Sequence, residues 1–234
     1  MSTFYSPKLV TDGLVLCIDA FNSKSYPGTG TAWNDLSNNS LGLNFSGSAS
    51  YITSLSGAAA GYTWSTGSSN VLDTDTHSIF FKIRFNSTAT YPTGCTGGWE
   101  KIFGFPAGGS DRSPGIWRWP SNRWIHWRYD PGNSGTDFGK AGTTLDTGNE
   151  FNLNLWYYVG VTKNSGSTKI YVNGNQVGTG SVSSPKAAGS SSIYLFEYYT
   201  NPLCNIDNLV IYNRVISDSE ALQNYNALKT RFGI

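Results

Sequence analysis

The sequence predicts an all-β protein, an antiparallel two-sheet sandwich with one short C-terminal helix. Apolar segments of strand length recur along the 234 residues, separated by segments rich in Gly, Ser, Thr and Asn. Aromatic residues reach 15% and charged residues only 13%. Only the end of the chain has the apolar spacing of a helix. Many short strands with turn signals between them, followed by a single helix, are typical of a β-sandwich.

Alternation identifies the strongest strand, residues 79–85. Ile79 and its three partners at every second position are apolar, whereas Lys82 and Arg84 point to the opposite face. Asn173-Gly174 tolerates the positive φ angles of a tight turn and predicts a hairpin over residues 169–177. The remaining predicted strands are residues 14–18, 101–105, 117–119, 123–129, 155–162, 193–197 and 206–212.

The predicted helix begins with a capping box at Ser217 and Glu220. The Ser217 hydroxyl can accept from the Glu220 amide while the Glu220 carboxylate reaches back to the Ser217 amide. Tyr225 and Leu228 recur on one helical face, so we expect them to pack the helix against the sheet.

Charge and cysteine content exclude several classes of function. Lys and Arg number 16 against 15 Asp and Glu, and this balance argues against nucleic-acid binding. No apolar segment approaches the roughly 20 residues that span a bilayer, so no membrane insertion is expected. Three widely spaced cysteines argue against thiolate zinc and favour assembly in a reducing compartment.

Several segments resemble laminin-G-like, concanavalin A-like jelly rolls. Residues 13–20 resemble the opening strand of that family, and residues 25–37 resemble its next signature. Residues 156–161 followed by 170–174 also resemble it. The ending, residues 211–233, is similar to versions found in structural proteins of tailed phages.

The resemblance implies one jelly-roll domain over residues 1–234, with no separate shaft or anchor. On that basis we expect a non-enzymatic virion protein, assembled in the host cytoplasm. Such a protein would be a capsid decoration or surface knob that docks on other virion proteins, either a major capsid protein or a tail protein. The alternative is a carbohydrate-binding adhesion module at a fibre tip that recognises host surface glycans.

Carboxylate spacing argues against a glycoside hydrolase. Such enzymes need two carboxyl groups close together, one as acid and one as nucleophile or base. The four glutamates, Glu100, Glu150, Glu197 and Glu220, are isolated along the chain, and Glu220 is explained by helix capping. No catalytic residue is therefore assigned.

Calcium is the one cofactor that the resemblance leaves open. Related folds sometimes bind calcium through Asp and Asn oxygens at the sheet rim. Asp19, Asp35 and Asp207 are the acids that match the family best. The alternative is that these carboxylates accept hydrogen bonds from backbone amides at strand ends and turns.

A Trp-rich segment is the candidate ligand or partner site. Three interpretations stay open: packing in the core with Arg stems over the rings, a protein interface, or stacking against sugars. Alternation over residues 123–129 puts Trp124 on one face and Trp127 on the other. The candidate site residues are Trp117, Trp119, Trp124, His126 and Arg128.

Overall fold

Two antiparallel sheets form the protein in the computed structural model, which confirms the predicted jelly-roll sandwich. Every ladder between its described strands is antiparallel. The structure describes residues 7–30, 32–39, 41, 43–45, 50–51, 55–56, 62–65, 76–86, 100–104, 115–118, 123–128, 137–138, 151–181, 192–195 and 204–229.

The first sheet contains eight of the described strands in the order β14-β13-β12-β7-β16-β5-β4, with β1 also pairing β16. Along the edge that faces away from β7, β16 therefore pairs with β1 over one part of its length and with β5 over another. The strands of the first sheet are β1 Leu14–Asp19, β4 Ser50–Tyr51, β5 Leu55–Ser56, β7 Thr76–Phe85, β12 Trp156–Asn164, β13 Ser167–Val172, β14 Asn175–Ser181 and β16 Cys204–Tyr212.

The second sheet also contains eight of the described strands, in the order β11-β10-β9-β8-β15-β6-β3-β2. Most of them are shorter than those of the first sheet. They are β2 Ala32–Trp33, β3 Leu43–Phe45, β6 Tyr62–Ser65, β8 Glu100–Gly104, β9 Gly115–Arg118, β10 Ile125–Arg128, β11 Asp137–Phe138 and β15 Ser192–Leu195.

The main core lies between the two sheets. As alternation predicts, the odd-numbered apolar residues of β7 face it, and β12 adds Val159 and Val161. The second sheet supplies Ile116, Ile125 and Trp127. Full burial of one such side chain contributes roughly 1.5–3 kcal/mol, so this layer dominates the stability of the fold.

A smaller apolar layer lies on the outer face of the first sheet, under helix α1, Asp218–Lys229. Ala221 and Leu228 are buried there, and Tyr225 is partly buried. Further members are Val10, Cys17, Phe80, Tyr158, Tyr171, Val210, Tyr212 and Ile216. The predicted helix and its packing residues are therefore confirmed, and no described helix is long and apolar enough to cross a membrane.

The capping box starts the helix as the sequence predicts. The Ser217 amide donates to Glu220 Oε2 at 2.7 Å, and the Glu220 amide donates to Ser217 Oγ at 3.2 Å. These two bonds satisfy backbone donors that a helix N-terminus otherwise leaves unpaired.

A buried polar triangle ties the N-terminal segment to the helix. The Val10 amide donates to Asn224 Oδ1 at 2.9 Å, and Asn224 Nδ2 donates to the Tyr212 hydroxyl at 3.0 Å. The Tyr212 hydroxyl in turn donates to the Val10 carbonyl at 3.0 Å. Burial of this ring raises the pKa of Tyr212, so its hydroxyl stays a donor across the physiological range.

The Asn173-Gly174 turn joins β13 to β14, as predicted. Both residues have positive φ angles, 50° and 80°. A Cβ at residue 174 would lie only 2.9 Å from Tyr225 Cβ, because the helix packs against this turn. Glycine is required here for its backbone angle and for the close approach of the helix.

The segment after β2 covers the outer edge of β1. The Leu36 amide donates to the Cys17 carbonyl at 2.7 Å. The Ser37 hydroxyl and the Asn39 side-chain amide each donate to the Val15 carbonyl at 3.1 Å. Side chains and backbone of this segment thus satisfy groups that an exposed edge strand would present to other chains.

Candidate functional site

The β9–β10 hairpin of the second sheet carries the Trp-rich segment. Trp117 is the backbone partner of His126, and Arg118 is the partner of Ile125. Ile116 is 1% exposed in the core, and side chains alternate along a strand, so Trp117 faces away from the first sheet. The hairpin thus has one core face and one outer face.

The indole of Trp117 lies along its own strand, over Gly115. A Cβ at residue 115 would come within 2.1 Å of the Trp117 ring. The ring itself is partly exposed. Glycine at 115 therefore leaves the space that lets the Trp117 ring lie over its own strand on the outer face of the sheet.

The structure describes some of the candidate residues of the Trp-rich segment and places them in different environments. Trp117 and Trp124 are both partly exposed, whereas Trp127 is 2% exposed and packs in the core. For Trp127 the core interpretation is correct. Trp119 lies outside the described residues, as do the side chains of His126 and Arg128, whose backbones belong to β10. We call Trp117, Trp124 and the register positions of His126 and Arg128 the Trp117 face, and its binding role stays a prediction.

Asp35 organises a turn. Its Oδ1 accepts from the amides of Cys17 and Ser37, both at 2.8 Å. Its Oδ2 accepts from the Ser37 hydroxyl at 2.6 Å and from the Leu41 amide at 3.0 Å. The Asp35 carboxylate therefore accepts four hydrogen bonds. This agrees with the alternative to calcium binding, in which the carboxylate accepts hydrogen bonds at a turn.

Asp19 and Asp207 lie on the neighbouring strands β1 and β16. Asp19 Oδ1 accepts from the Phe21 amide at 3.0 Å. Asp207 Oδ2 accepts from Lys82 Nζ at 3.0 Å, in an ion pair whose two side chains are fully buried. Among the residues that the structure describes, no three His, Cys, Asp or Glu side chains group as metal ligands. Calcium binding by these acids therefore rests on the resemblance alone and stays a prediction.

A second aromatic and cationic group, on the outer face of the first sheet, was not foreseen. Lys82 Nζ lies 4.5 Å from the centre of the Trp156 ring and 5.9 Å from that of Phe21. The Arg84 guanidinium carbon lies 4.9 Å from the centre of the same indole. Alternation placed Lys82 and Arg84 on this face, but only the strand register shows that Trp156 lies opposite Arg84.

The perturbed ionisable groups lie where helix α1 meets the first sheet. Burial, followed by a hydrogen bond to Asp218, raises the pKa of Tyr171. Hydrogen bonds from Lys169 at 2.8 Å and from Tyr171 at 2.7 Å lower the pKa of Asp218. The hydrogen bonds behind these shifts tie the helix to the first sheet, and the shifts need no ligand to explain them.

The chain belongs to the concanavalin A-like lectin/glucanase superfamily, whose family model matches residues 56–221. This confirms the family that the sequence motifs predict. No curated protein matches the chain in sequence.

Solved structures share the fold at low sequence identity. Trypanosoma rangeli sialidase in complex with sialic acid superposes with a TM-score of 0.67 at 18% identity, over 96% of this chain and 34% of the sialidase. Botulinum neurotoxin type C superposes with a TM-score of 0.68 at 17% identity, over 94% of this chain and 52% of the toxin chain. Its cell entry is described as dependent on interaction with two ganglioside molecules. The chain thus spans about a third of the sialidase and about half of the toxin chain, and the likeness concerns the fold.

These neighbours contradict the expectation that the protein is not an enzyme. The fold is shared with sialidases, one of them solved as a covalent intermediate. The sequence argument used the spacing of glutamates along the chain, but antiparallel pairing brings distant positions together. Asp19, near the start of the chain, is paired in register with Asn208, next to Asp207. Isolation in sequence is therefore no measure of isolation in space.

Proposed function

We propose that this domain recognises glycans through the Trp117 face of the second sheet. The observation that carries the proposal is the partly exposed Trp117, whose indole lies over Gly115 on the outer face of the sheet. Sugars bind proteins by laying their apolar faces on such rings while polar neighbours bond the hydroxyls.

The rest of the Trp117 face supports the same function. Trp124 offers a second partly exposed ring immediately before β10. Residues 126 and 128, a histidine and an arginine, alternate with the core positions of that strand. The fold neighbours described with sialic acid and with gangliosides add support from outside the chain.

The test is binding of the full chain to a panel of neutral and acidic glycans, with release of reducing ends as a second readout. We expect millimolar or tighter binding that Trp117→Ala reduces roughly tenfold or more, since one stacked ring contributes several contacts. A panel without any binder would overturn the proposal. Release of reducing ends would show that binding is coupled to cleavage.

Gly115→Ala offers a sharper control than removal of the ring. The added methyl must push the Trp117 ring away from its strand, because the space is already filled. We therefore expect this variant to lose glycan affinity while it keeps its tryptophan. A variant with full affinity would mean that the position of the ring over residue 115 is irrelevant to binding.

A second candidate function is a role in a tailed-phage virion. Its support is the resemblance of residues 211–233 to phage structural proteins, a segment that includes the capped helix on the first sheet. We propose docking on a major capsid or tail protein, with the domain located in the virion after assembly in the host cytoplasm. Aromatic and arginine side chains dominate such interfaces.

Purified virions test this second candidate. Detection of the chain on capsids favours decoration, and detection on tails favours a fibre module. We expect Trp124→Ala to fold and to lower occupancy on particles. Absence of the chain from virions would remove the proposal, and wild-type occupancy of the variant would place the docking surface away from Trp124.

A further inference from the structure

Three strands of the first sheet bring a row of chemically distinct side chains together on its outer face. Arg84 on β7 is paired with Trp156 on β12 and with Asn205 on β16. Directly opposed residues of antiparallel strands share a face. Asn86 is exposed and its side-chain amide donates to Asn205 Oδ1. We call Arg84, Trp156, Asn205 and Asn86 the Arg84 cluster.

The guanidinium of Arg84 is positioned by stacking rather than by an acid. Its carbon lies 4.9 Å from the centre of the Trp156 ring. In the described part of the chain it has no carboxylate partner, and its Nε is buried without a hydrogen bond. A planar guanidinium with spare donors matches the geometry of a carboxylate, which it can bind through two parallel hydrogen bonds.

Two other cations of this sheet have carboxylate partners. Lys82, two residues before Arg84, pairs with Asp207 at 3.0 Å. Lys169 pairs with Asp218 at 2.8 Å. Because the Lys82 charge is neutralised by its partner, the Arg84 cluster presents one net positive charge, which suits a ligand with a single carboxylate.

The surroundings favour a sugar over a simple anion. Trp156 is partly exposed, and the ring of Phe21, 48% exposed, lies 5.9 Å from the neighbouring Lys82 Nζ. The exposed Asn86 has an amide side chain, a group that can both donate to and accept from hydroxyl groups, and the buried Asn205 holds it in place. An acidic sugar is bound by groups of three kinds, and all three are present here. Aromatic rings contact its apolar face, amide groups bond its hydroxyls and a guanidinium binds its carboxylate.

We propose that the Arg84 cluster binds a sugar bearing one carboxylate. The site lies on the first sheet and is separate from the Trp117 face on the second. The inference deepens the proposed function, on which it rests, by naming a class of ligand and a second place of contact. Arg84 holds the carboxylate, Trp156 and Phe21 contact the ring, and the exposed Asn86, held by its bond to the buried Asn205, bonds a hydroxyl.

The experiment is a calorimetric titration of the full chain with N-acetylneuraminic acid, glucuronic acid and galactose. We expect the two acids to bind roughly tenfold or more tightly than galactose, as hydrogen bonds to a charged group imply. Arg84→Gln should abolish that preference. Arg84→Lys should restore part of it, because the charge returns without the planar fork.

Lys169→Gln is the matched control, since it removes a cation of the same sheet that already has a carboxylate partner. It should leave the preference for acids unchanged. Thermal unfolding of each variant checks that the fold is intact, and Arg84→Lys provides the readout if Arg84→Gln unfolds.

The outcomes separate the inference from the function on which it rests. If glycans bind but Arg84→Gln keeps the full preference for acids, the Arg84 cluster is not the site and the proposed function stands. If no sugar binds to the wild-type chain, both are wrong. If inorganic phosphate or acetate competes as strongly as the acidic sugars, the cluster is a general anion site and the assignment to sugars is overturned.

Discussion

Trp124 and Trp127 lie three residues apart, yet the strand between them turns their rings to different environments. Trp127 is 2% exposed between the sheets, whereas Trp124 is partly exposed just before β10. The same amino acid therefore lies inside the core at one position and at its margin at the other.

Replacement of each ring by alanine should separate these roles. We expect Trp127→Ala to lower the free energy of unfolding by about 3–5 kcal/mol, since it leaves a cavity in a packed core. Trp124→Ala should cost about 1 kcal/mol or less, because most substitutions outside the core have small effects. Urea unfolding of both variants measures the difference, and equal losses would mean that Trp124 is also a core residue.

The buried ion pair between Lys82 and Asp207 gives a second expectation for single residues. Asp207→Asn should destabilise the fold by about 3–5 kcal/mol, because it leaves a buried charge without its partner. The double variant Lys82→Met, Asp207→Leu should recover most of this loss, since apolar residues fill the same space without desolvating charges. If the double variant is as unstable as the single one in chemical unfolding, the pair contributes more than charge compensation.

Helix α1 shows how a local signal and a tertiary contact combine in one element. The capping box fixes where the helix begins, and Ala221 and Leu228 fix which face meets the first sheet. Ser217→Ala should lower the free energy of unfolding by about 1 kcal/mol, through loss of the bond to the Glu220 amide. A thermal midpoint equal to that of the wild type would show that the cap is not needed once the helix is docked.

The same element makes stability depend on acidity. Hydrogen bonds from the Arg214 guanidinium, at 2.6 and 3.0 Å, lower the pKa of Glu220 from 4.5 to about 2. A depressed pKa means stability that is present above about pH 4.5 and is lost as pH falls towards 2. Glu220→Gln keeps the capping geometry but removes the charge, so its stability should fall less steeply over that interval. Parallel curves of unfolding free energy against pH would contradict this assignment.

Elements differ in how far the sequence predicts them. The long strand β7, the Asn173-Gly174 hairpin and α1 follow from alternation, turn chemistry and capping, all of which are local. The short strands β2 to β6 were not predicted, because two to four residues are too few to show alternation and only their partners define them. For the same reason alternation gave the faces of Trp124 and Trp127, but the contact of Arg84 with Trp156 required the register of two distant strands.

The two surfaces that we propose for glycan recognition lie on opposite sides of one core. The outer face of the second sheet carries the Trp117 face, and the outer face of the first sheet carries the Arg84 cluster beside the helix-covered layer. A domain with aromatic platforms on both sheets can contact two parts of a branched glycan or two neighbouring chains. Such paired contacts raise overall affinity when both are engaged together.

The most direct test of glycan recognition is a titration followed through the indole N–H signals of the 8 tryptophans in a nitrogen-15 spectrum. We expect a bound glycan to shift the signal of Trp117, and an acidic sugar to shift that of Trp156 as well. Trp33 and Trp127, which are 1% and 2% exposed, should not respond. If saturating glycans leave every indole signal in place, or shift only the signals of the buried rings, the account of glycan binding at these faces is wrong.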